Sequence, residues 1–345
     1  MDPRIGDVGS NVRIAASIEI LKIMVELYKN KKFDIFEKYI KISLNCLIRQ
    51  LAEKIALVRR ITGNELQKFF FELKDENLDK YIPNYNELKN IFLTDIEFDD
   101  DDKIFSIKWI EPEFAYPKII PLIELEEYQN NFIEGYIRSI ACISEDVHKC
   151  SINELKKILD KNPLEKKHLL IKKILDVVLL IFKKNEKDDK FIEPLESALA
   201  HLFSMSQFIN NEYLEQIDNI YKCVIRENFE SKNIHKILNS VDIFYSMLFY
   251  EKETKYNLLN KCLRSLLLLM CHKYPVVRKK ASEKLFLFLT GLDETNNIGI
   301  TEEQLDNANI LIADTDWTLK VIEIKESRNK LAQELGIDLN LKKTK

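Results

Sequence analysis

The sequence predicts an all-α protein built of stacked antiparallel helix pairs, and three observations predict it. The chain has 345 residues but only 7 Gly and 8 Pro. Sheets, barrels and Gly-rich active-site loops need many sharp turns, so this scarcity favours helices. Apolar residues recur at helical spacing in block after block, with short joints between blocks. Taken in twos, the later blocks recur roughly every 40–45 residues, the period of HEAT and armadillo arrays. The length allows one long domain or two ordinary ones.

Segment 7–30 sets the pattern. Val12, Ala16, Ile20, Ile23 and Leu27 form one stripe at helical spacing, and Ile14, Ile18, Leu21, Val25 and Tyr28 form a second. Only a narrow sector with Glu19, Lys22, Glu26 and Lys29 is polar. A helix with two apolar flanks has neighbours on both sides, as in a stacked solenoid. Further helical blocks are expected at 34–50, 52–73, 128–145, 165–183, 190–207, 210–227, 232–249, 253–272, 275–290, 302–313 and 317–334. The joints Glu186–Asp189, Ser231-Lys232-Asn233 and Tyr274-Pro275 are short. Residues 1–75 therefore hold the first HEAT-like helices and 122–336 a second array, with 337–345 a flexible tail. Between them, 76–121 carries Pro83, Pro112, Pro117, Pro121 and the run Asp99-Asp100-Asp101-Asp102. It reads as an irregular connection, an insertion or a boundary between two sub-arrays.

Two places look like the start of a HEAT second helix: Asp7-Val8-Gly9-Ser10-Asn11-Val12-Arg13-Ile14-Ala15-Ala16 and Tyr274-Pro275-Val276-Val277-Arg278-Lys279-Lys280-Ala281. Asp7 or Ser10 can cap free N–H groups, and Pro275 suits a first turn, where its missing N–H costs nothing. Val12 and Val277 are expected to face the core. Arg13 and Arg278 are expected along the inter-repeat seam, bonded to carbonyls or to an acid of the neighbouring turn. In the last block, Trp317, Val321, Ile324 and Leu331 share a stripe. It is expected to pack on 275–290 through Val277, Ala281, Leu285 and Phe288. Phe69-Phe70-Phe71, Phe244, Phe249, Phe286 and Phe288 read as core packing.

Charge and chemistry exclude several classes. Net charge is −4, without the basic excess of a nucleic-acid binder. The longest apolar stretches, Leu169–Phe182 and Leu263–Cys271, are interrupted by charge or too short to span a bilayer. Cys46, Cys142, Cys150, Cys223, Cys262 and Cys271 are scattered through apolar patterns and read as reduced thiols of a cytosolic protein. No phosphate-binding Gly-rich loop, Cys-x-x-Cys or His-Glu-x-x-His occurs. Cys142, His148 and Cys150 lack a fourth zinc ligand, and neighbours such as Cys271 and His272 point different ways on a helix. No catalytic, cofactor-binding or metal-ligating residue is expected. The cluster Arg278, Lys279 and Lys280 is a candidate contact for an acidic partner surface.

Motif order then goes further. Cys271-His272-Lys273-Tyr274-Pro275-Val276-Val277-Arg278-Lys279 resembles the last long repeat of the tubulin-folding cofactor D family. Leu311-Ile312-Ala313-Asp314-Thr315-Asp316-Trp317, followed by Arg328-Asn329-Lys330-Leu331 and Leu335-Gly336, is similar to that family's end. The opening 6–16 resembles the start of its C-terminal region, with Glu53-Lys54-Ile55 at a fitting distance. Trp109, Pro112, Tyr116 and Pro117 match a Trp-x-x-Pro-x-x-x-aromatic-Pro element. The collinear likeness marks Asp7, Val12, Arg13, Trp109, Pro112, Pro117, Pro275, Arg278, Trp317, Arg328 and Asn329 as family-motif residues, mostly structural. The acidic run and Lys342-Lys343-Thr344-Lys345 depart from it.

The resemblance implies a cytosolic, protein-binding chaperone segment that is not itself an enzyme. Its implied partners are β-tubulin, tubulin cofactors E and C and an Arf-like small GTPase, with GTP turnover left to those partners and an association with microtubules or centrosomes. Members of the family are much longer, so a fragment or a split gene is the expectation here. A HEAT scaffold of transport or phosphatase-regulatory type, without tubulin specificity, is the alternative.

Overall fold

The computed structural model describes residues 8–74, 76–94, 107–250, 256–292 and 298–339. Among the described residues there are fifteen α-helices and no strand. They are α1 (Val8–Lys29), α2 (Phe33–Leu51), α3 (Ala56–Glu72), α4 (Tyr85–Leu93), α5 (Pro112–Ile119), α6 (Glu126–Ile140), α7 (Glu145–Lys161) and α8 (Leu164–Lys184), followed by α9 (Asp189–Phe203), α10 (Leu214–Asn228), α11 (Ile234–Met247), α12 (Leu258–Leu269), α13 (Pro275–Thr290), α14 (Glu302–Asp314) and α15 (Val321–Glu334). A tight turn at Ile107–Ile110 precedes α5. This is the expected α-solenoid of stacked helix pairs.

The chain divides into two compact units, residues 1–177 and 178–345. That boundary falls inside α8, not at the proline-rich stretch 76–121. In the first unit α1 packs on α2 and α3, α2 also on α6, α3 on α4 and the Ile107–Ile110 turn, and α7 on α5 and α6. In the second, α11 packs on α9, α10, α12 and α13, while α14 packs on α13 and α15. Buried side chains such as Phe36, Leu44, Leu47, Phe70 and Phe132 fill the first core. Ile192, Leu199, Val241, Leu266 and Leu285 fill the second. Each contributes about 1.5–3 kcal/mol of apolar burial.

Local chemistry sets the boundaries. The Asp188 and Asn233 side chains accept from Lys190 N and Lys236 N at the starts of α9 and α11. Thr301 and Gln304 form a reciprocal capping box on α14. Pro112 and Pro275 occupy the first positions of α5 and α13. At Gly135, α6 lies against the backbone of α2: an added Cβ would come 2.2 Å from the Arg49 carbonyl oxygen.

Several expectations are corrected. The block 128–145 is not one helix. The chain turns at 141–144 and continues as α7, whose narrow buried face of Val147, Ser151, Leu155 and Leu159 gives little apolar signal. Stretch 76–121 contains α4 and α5, with Leu88, Phe92, Trp109 and Tyr116 buried. Ser10 lies inside α1, two residues after its first residue, and Asp7 lies outside the described residues. Val12 does not face the core: it is 68% exposed, because α1 buries the opposite side through Ser17, Leu21, Met24 and Val25. Phe249 is 47% exposed and touches Phe288 edge-on. Trp317 precedes α15, which starts at Val321 and packs mainly on α14 and α12; Trp317 itself meets α13, through its carbonyl on Arg278. Asp99–Asp102 and Lys342–Lys345 lie outside the described residues.

Candidate interaction surface

The most organised polar feature of the second unit is Arg278. It sits one turn into α13 and is buried, and its guanidinium grips backbone on both sides. Nε donates to the Trp317 carbonyl at 2.9 Å, and Nη2 to Thr318 at 2.7 Å and to Leu319. Nη1 donates to His272 at 2.8 Å and Lys273 at 3.2 Å. A planar fork of five N–H donors suits such a cage of carbonyls. The Trp317 indole N–H in turn donates to the Ile312 carbonyl at 3.0 Å.

The first unit repeats the device at Arg59. Its Nε donates to the Trp109 carbonyl at 3.0 Å, and Nη2 to Ile110 at 2.9 Å. Nη1 donates to the Glu53 carbonyl at 3.2 Å and to the Tyr116 hydroxyl at 3.4 Å. Each tryptophan of the chain thus offers its carbonyl to an arginine one turn into a helix. The pattern extends outward from that pair. Val58, Arg59, Thr62, Gly63, Leu66, Phe69 and Phe70 of α3 are buried at the positions of Val277, Arg278, Ala281, Ser282, Leu285, Phe288 and Leu289 of α13. Ser43, Leu44, Leu47, Ile48 and Leu51 of the preceding helix match Cys262, Leu263, Leu266, Leu267 and Met270. One helical module therefore occurs twice. The Trp-x-x-Pro-x-x-x-aromatic-Pro element is the receptor for Arg59, which sequence reasoning missed. The shared Val58-Arg59 and Val277-Arg278 steps were the available signal. A partial third copy is α7, where Val147 is buried and His148 Nδ1 donates to the Ile140 carbonyl at 2.6 Å.

Arg13 is not the counterpart of Arg278. Its Nε meets Glu53 Oε2 at 3.0 Å, and Arg138 of α6 reaches the other oxygen at 3.4 Å. The basic cluster is also corrected. Arg278 is committed to carbonyls, Lys280 pairs with Asp242, and Lys279 alone of the three is exposed, 3.9 Å from Glu283. Pro112 and Pro117 start and interrupt α5 without touching Arg59 through polar atoms, and Pro117 is exposed. Arg328 is buried on α15, with no hydrogen-bond partner for its Nε among the described residues, and Asn329 is exposed.

A cavity of about 360 Å³ opens between α13 and the α14–α15 connection. Phe286, Ile312, Ala313 and Trp317 give it apolar walls, and Lys279, Glu283 and Asp316 ring it with charge. Thr318 donates its hydroxyl and its amide to Asp316, holding that carboxyl below its usual range. An apolar floor under a charged rim is the layout of a protein-binding hot spot. The Arg278 clip fixes the loop that forms one wall. By contrast, Cys271 is no activated nucleophile: burial pushes its thiol up, with Arg328, Arg278 and Lys325 only partly opposing.

A second polar network joins α9, α10 and α11. Glu196 is buried, and Asn228 Nδ2 donates to its two oxygens at 2.8 and 3.0 Å. Lys236, also buried, pairs with Asp189 at 2.6 Å. Burial pushes the Glu196 carboxyl up to about 8, with Glu227 and Asp189 adding to the shift and Asn228 and Lys236 opposing it. The folded state therefore holds a proton that the unfolded chain releases near the ordinary value of 4.5. The stability from this group is fully present below that value and is lost as pH rises through about 8. Glu196→Gln keeps the neutral form at every pH. Denaturant titrations should show the variant gaining on the native chain as pH rises from 4.5 to about 8, and no further above that; parallel pH profiles would refute a neutral Glu196.

Residues 42–236 match the family described as tubulin folding cofactor D C terminal. A tubulin-specific chaperone D of Dictyostelium discoideum is 24% identical over 328 residues, covering 85% of this chain and 21% of the relative. The chain thus spans about a fifth of that relative's length. No solved structure matches. Among the described residues no helix is long and apolar enough to cross a membrane.

Proposed function

Because the chain belongs to the tubulin folding cofactor D C-terminal family, we propose that it is a tubulin-folding cofactor segment, binding β-tubulin, other tubulin cofactors or both as the αβ-tubulin heterodimer is assembled and taken apart. The family match across 42–236, more than half of the chain, carries this reading. The doubled helical module supports it physically. In each unit a rigid clip holds its stacked helices in register, so the surface of that unit is preorganised for a protein partner. The cavity walled by Phe286 and Trp317 is the anchor site of the second unit. In this reading the chain performs no covalent step of its own. Cofactors E and C, an Arf-like small GTPase and GTP turnover enter through the assembly, in the cytosol and at microtubules.

Capture from cytosol by the immobilised full chain, blotted for tubulin and for the cofactors, tests the proposal. Retention of tubulin or of a tubulin cofactor is the expected result. Their absence, with a transport receptor or a phosphatase subunit retained instead, would turn the assignment toward a general scaffold. The purified chain is also expected to leave GTP and ATP intact, and hydrolysis that survives extensive purification would refute the non-catalytic role.

A further inference from the structure

The repeated module places two tryptophans alike but treats their rings differently. In the first copy the Trp109 ring lies directly on Gly63, where an added Cβ would come 2.5 Å from it, and its indole N–H donates to Gln67 at 2.8 Å. The Phe92 ring lies 6.1 Å away and Phe114 meets the indole edge-on at 5.4 Å, so the ring is closed from solvent. In the second copy Ser282 stands at the position of Gly63 and Phe286 at that of Gln67. The serine Cβ bars a ring from lying that close, and phenylalanine offers an indole no acceptor. The Trp317 N–H turns instead to the Ile312 carbonyl of α14, at 3.0 Å. The cover differs as well. Five residues past Trp109 comes Phe114, but five past Trp317 comes Ile322, which is 84% exposed and does not line the cavity. Among the described residues neither Trp317 nor Phe286 has a ring contact.

The cavity of about 360 Å³ beside Ser282, Phe286 and Trp317 therefore lies where the first copy seats an indole and the second leaves space. It sits at the lower end of ligand-pocket sizes, about 300–1,000 Å³, and so admits one large side chain and not a helix. The rim adds a preference for charge. Asp316 is exposed, and the Thr318 hydroxyl and amide both donate to its Oδ1, at 2.6 and 2.9 Å. Those two bonds fix the carboxylate, while its Oδ2 accepts no hydrogen bond among the described residues. Lys279, the one lysine of the rim, lies 3.9 Å from Glu283. Two acids thus face one lysine, and the fixed, half-engaged carboxylate is placed to accept from an incoming cation.

We propose that the cavity beside Trp317 takes a tryptophan side chain of a partner polypeptide, with an arginine next to it that pairs with Asp316. This rests on the reading of the cavity as an anchor site and names the chemistry of its occupant. An indole entering there meets the Phe286 and Trp317 rings, as Trp109 meets Phe92 and Phe114 in the first copy. Tryptophan and arginine are also the side chains that most often carry the energy of a protein interface.

A fluorescein-labelled Gly-Arg-Trp-Gly peptide is the probe, titrated against the full chain by fluorescence anisotropy. The same peptide with Leu in place of Trp, and with Glu in place of Arg, is titrated beside it. Saturable binding of the first is expected, weakened about fivefold or more by either replacement. Ala313 is exposed on the cavity wall, so Ala313→Trp can plug the cavity with an indole of the chain's own. It should abolish peptide binding while the melting temperature holds. Asp316→Asn keeps an oxygen for Thr318 and removes the charge. It should bring the Arg and Glu peptides close together in affinity and keep the preference for Trp over Leu. Should the plugged variant lose its fold, Asp316→Asn, at an exposed position, decides alone. The proposal fails if the peptide does not bind the native chain at millimolar concentration, if the Leu peptide binds as tightly, or if folded Ala313→Trp still binds it. It also fails if Asp316→Asn leaves the Arg preference intact. A concentration-dependent dimer of the native chain that Ala313→Trp abolishes would assign the cavity to a second copy and overturn it too. No tubulin enters these titrations, so the two readings fail separately: a chain that binds the peptide as expected but neither tubulin nor a tubulin cofactor would refute the proposed function and sustain the Trp-Arg site.

Discussion

Arg278→Ala is expected to lower the unfolding free energy by about 4 kcal/mol, since it removes a buried cation whose charge-assisted hydrogen bonds are worth about 1.5–3 kcal/mol each and leaves their carbonyls unmet. The five acceptors come from two separate segments, 272–273 and 317–319, so the loss unfastens the α12–α13 turn and the α14–α15 connection together. Arg278→Lys should recover little. A point-like ammonium with three donors cannot span the fork. Urea denaturation with circular dichroism reads the difference. Arg59→Ala should behave alike in the first unit, losing the Trp109, Ile110 and Glu53 carbonyls. A change below about 1 kcal/mol for Arg278→Ala would mean water replaces the guanidinium at no cost, contrary to a buried clip.

Trp109→Ala is expected to cost about 3–5 kcal/mol, as a large-to-small truncation in a packed core. The ring is fully buried and lies so close to α3 that a Cβ on Gly63 would fall 2.5 Å from it. Its indole N–H donates to Gln67 at 2.8 Å, so truncation also strands a buried amide oxygen. Trp109→Phe should restore most of the packing and isolate that hydrogen bond, at roughly 1–3 kcal/mol. Trp317→Ala should fall in the same range by the same argument. Trp317 also walls the cavity proposed as the anchor site, however, so its substitution should impair binding as well as stability. Thermal melts of the three variants, read by circular dichroism because both tryptophans emit, check the ranking. Unchanged melting temperatures would contradict burial at these positions.

Much of the fold was legible because helical periodicity survives without any partner. The failures have physical causes. Arg278 stood out because Pro275 announces a helix start. Arg59 did not, because Ala56 holds the equivalent position and gives no such signal. The Val12-Arg13 step lies within α1: Arg13 meets an acid, one of the two partners its position suggested, but Val12 meets solvent, because a motif string does not say which side of the helix is covered. Trp317 fell on a helical stripe with Val321 and Ile324, but the carbonyls of 317–319 belong to Arg278 and cannot serve a helix there. The apolar double flank of 7–30 was read as two buried faces. In the structure one of them is open to solvent, and a sequence does not record whether a neighbour is present. The cavity beside Trp317 joins residues from two helices and a turn, so no local pattern announces it.

Equilibrium titration of purified αβ-tubulin into the full chain, beside the variant Phe286→Glu, tests the central claim most directly. Phe286 is half-buried at the cavity wall, and a carboxylate there would be desolvated against an apolar partner group. Saturable binding by the native chain is expected, weakened about tenfold or more in the variant, with the melting temperature of the chain held. Native chain that is folded yet binds neither tubulin nor any tubulin cofactor at micromolar concentration would contradict the assignment.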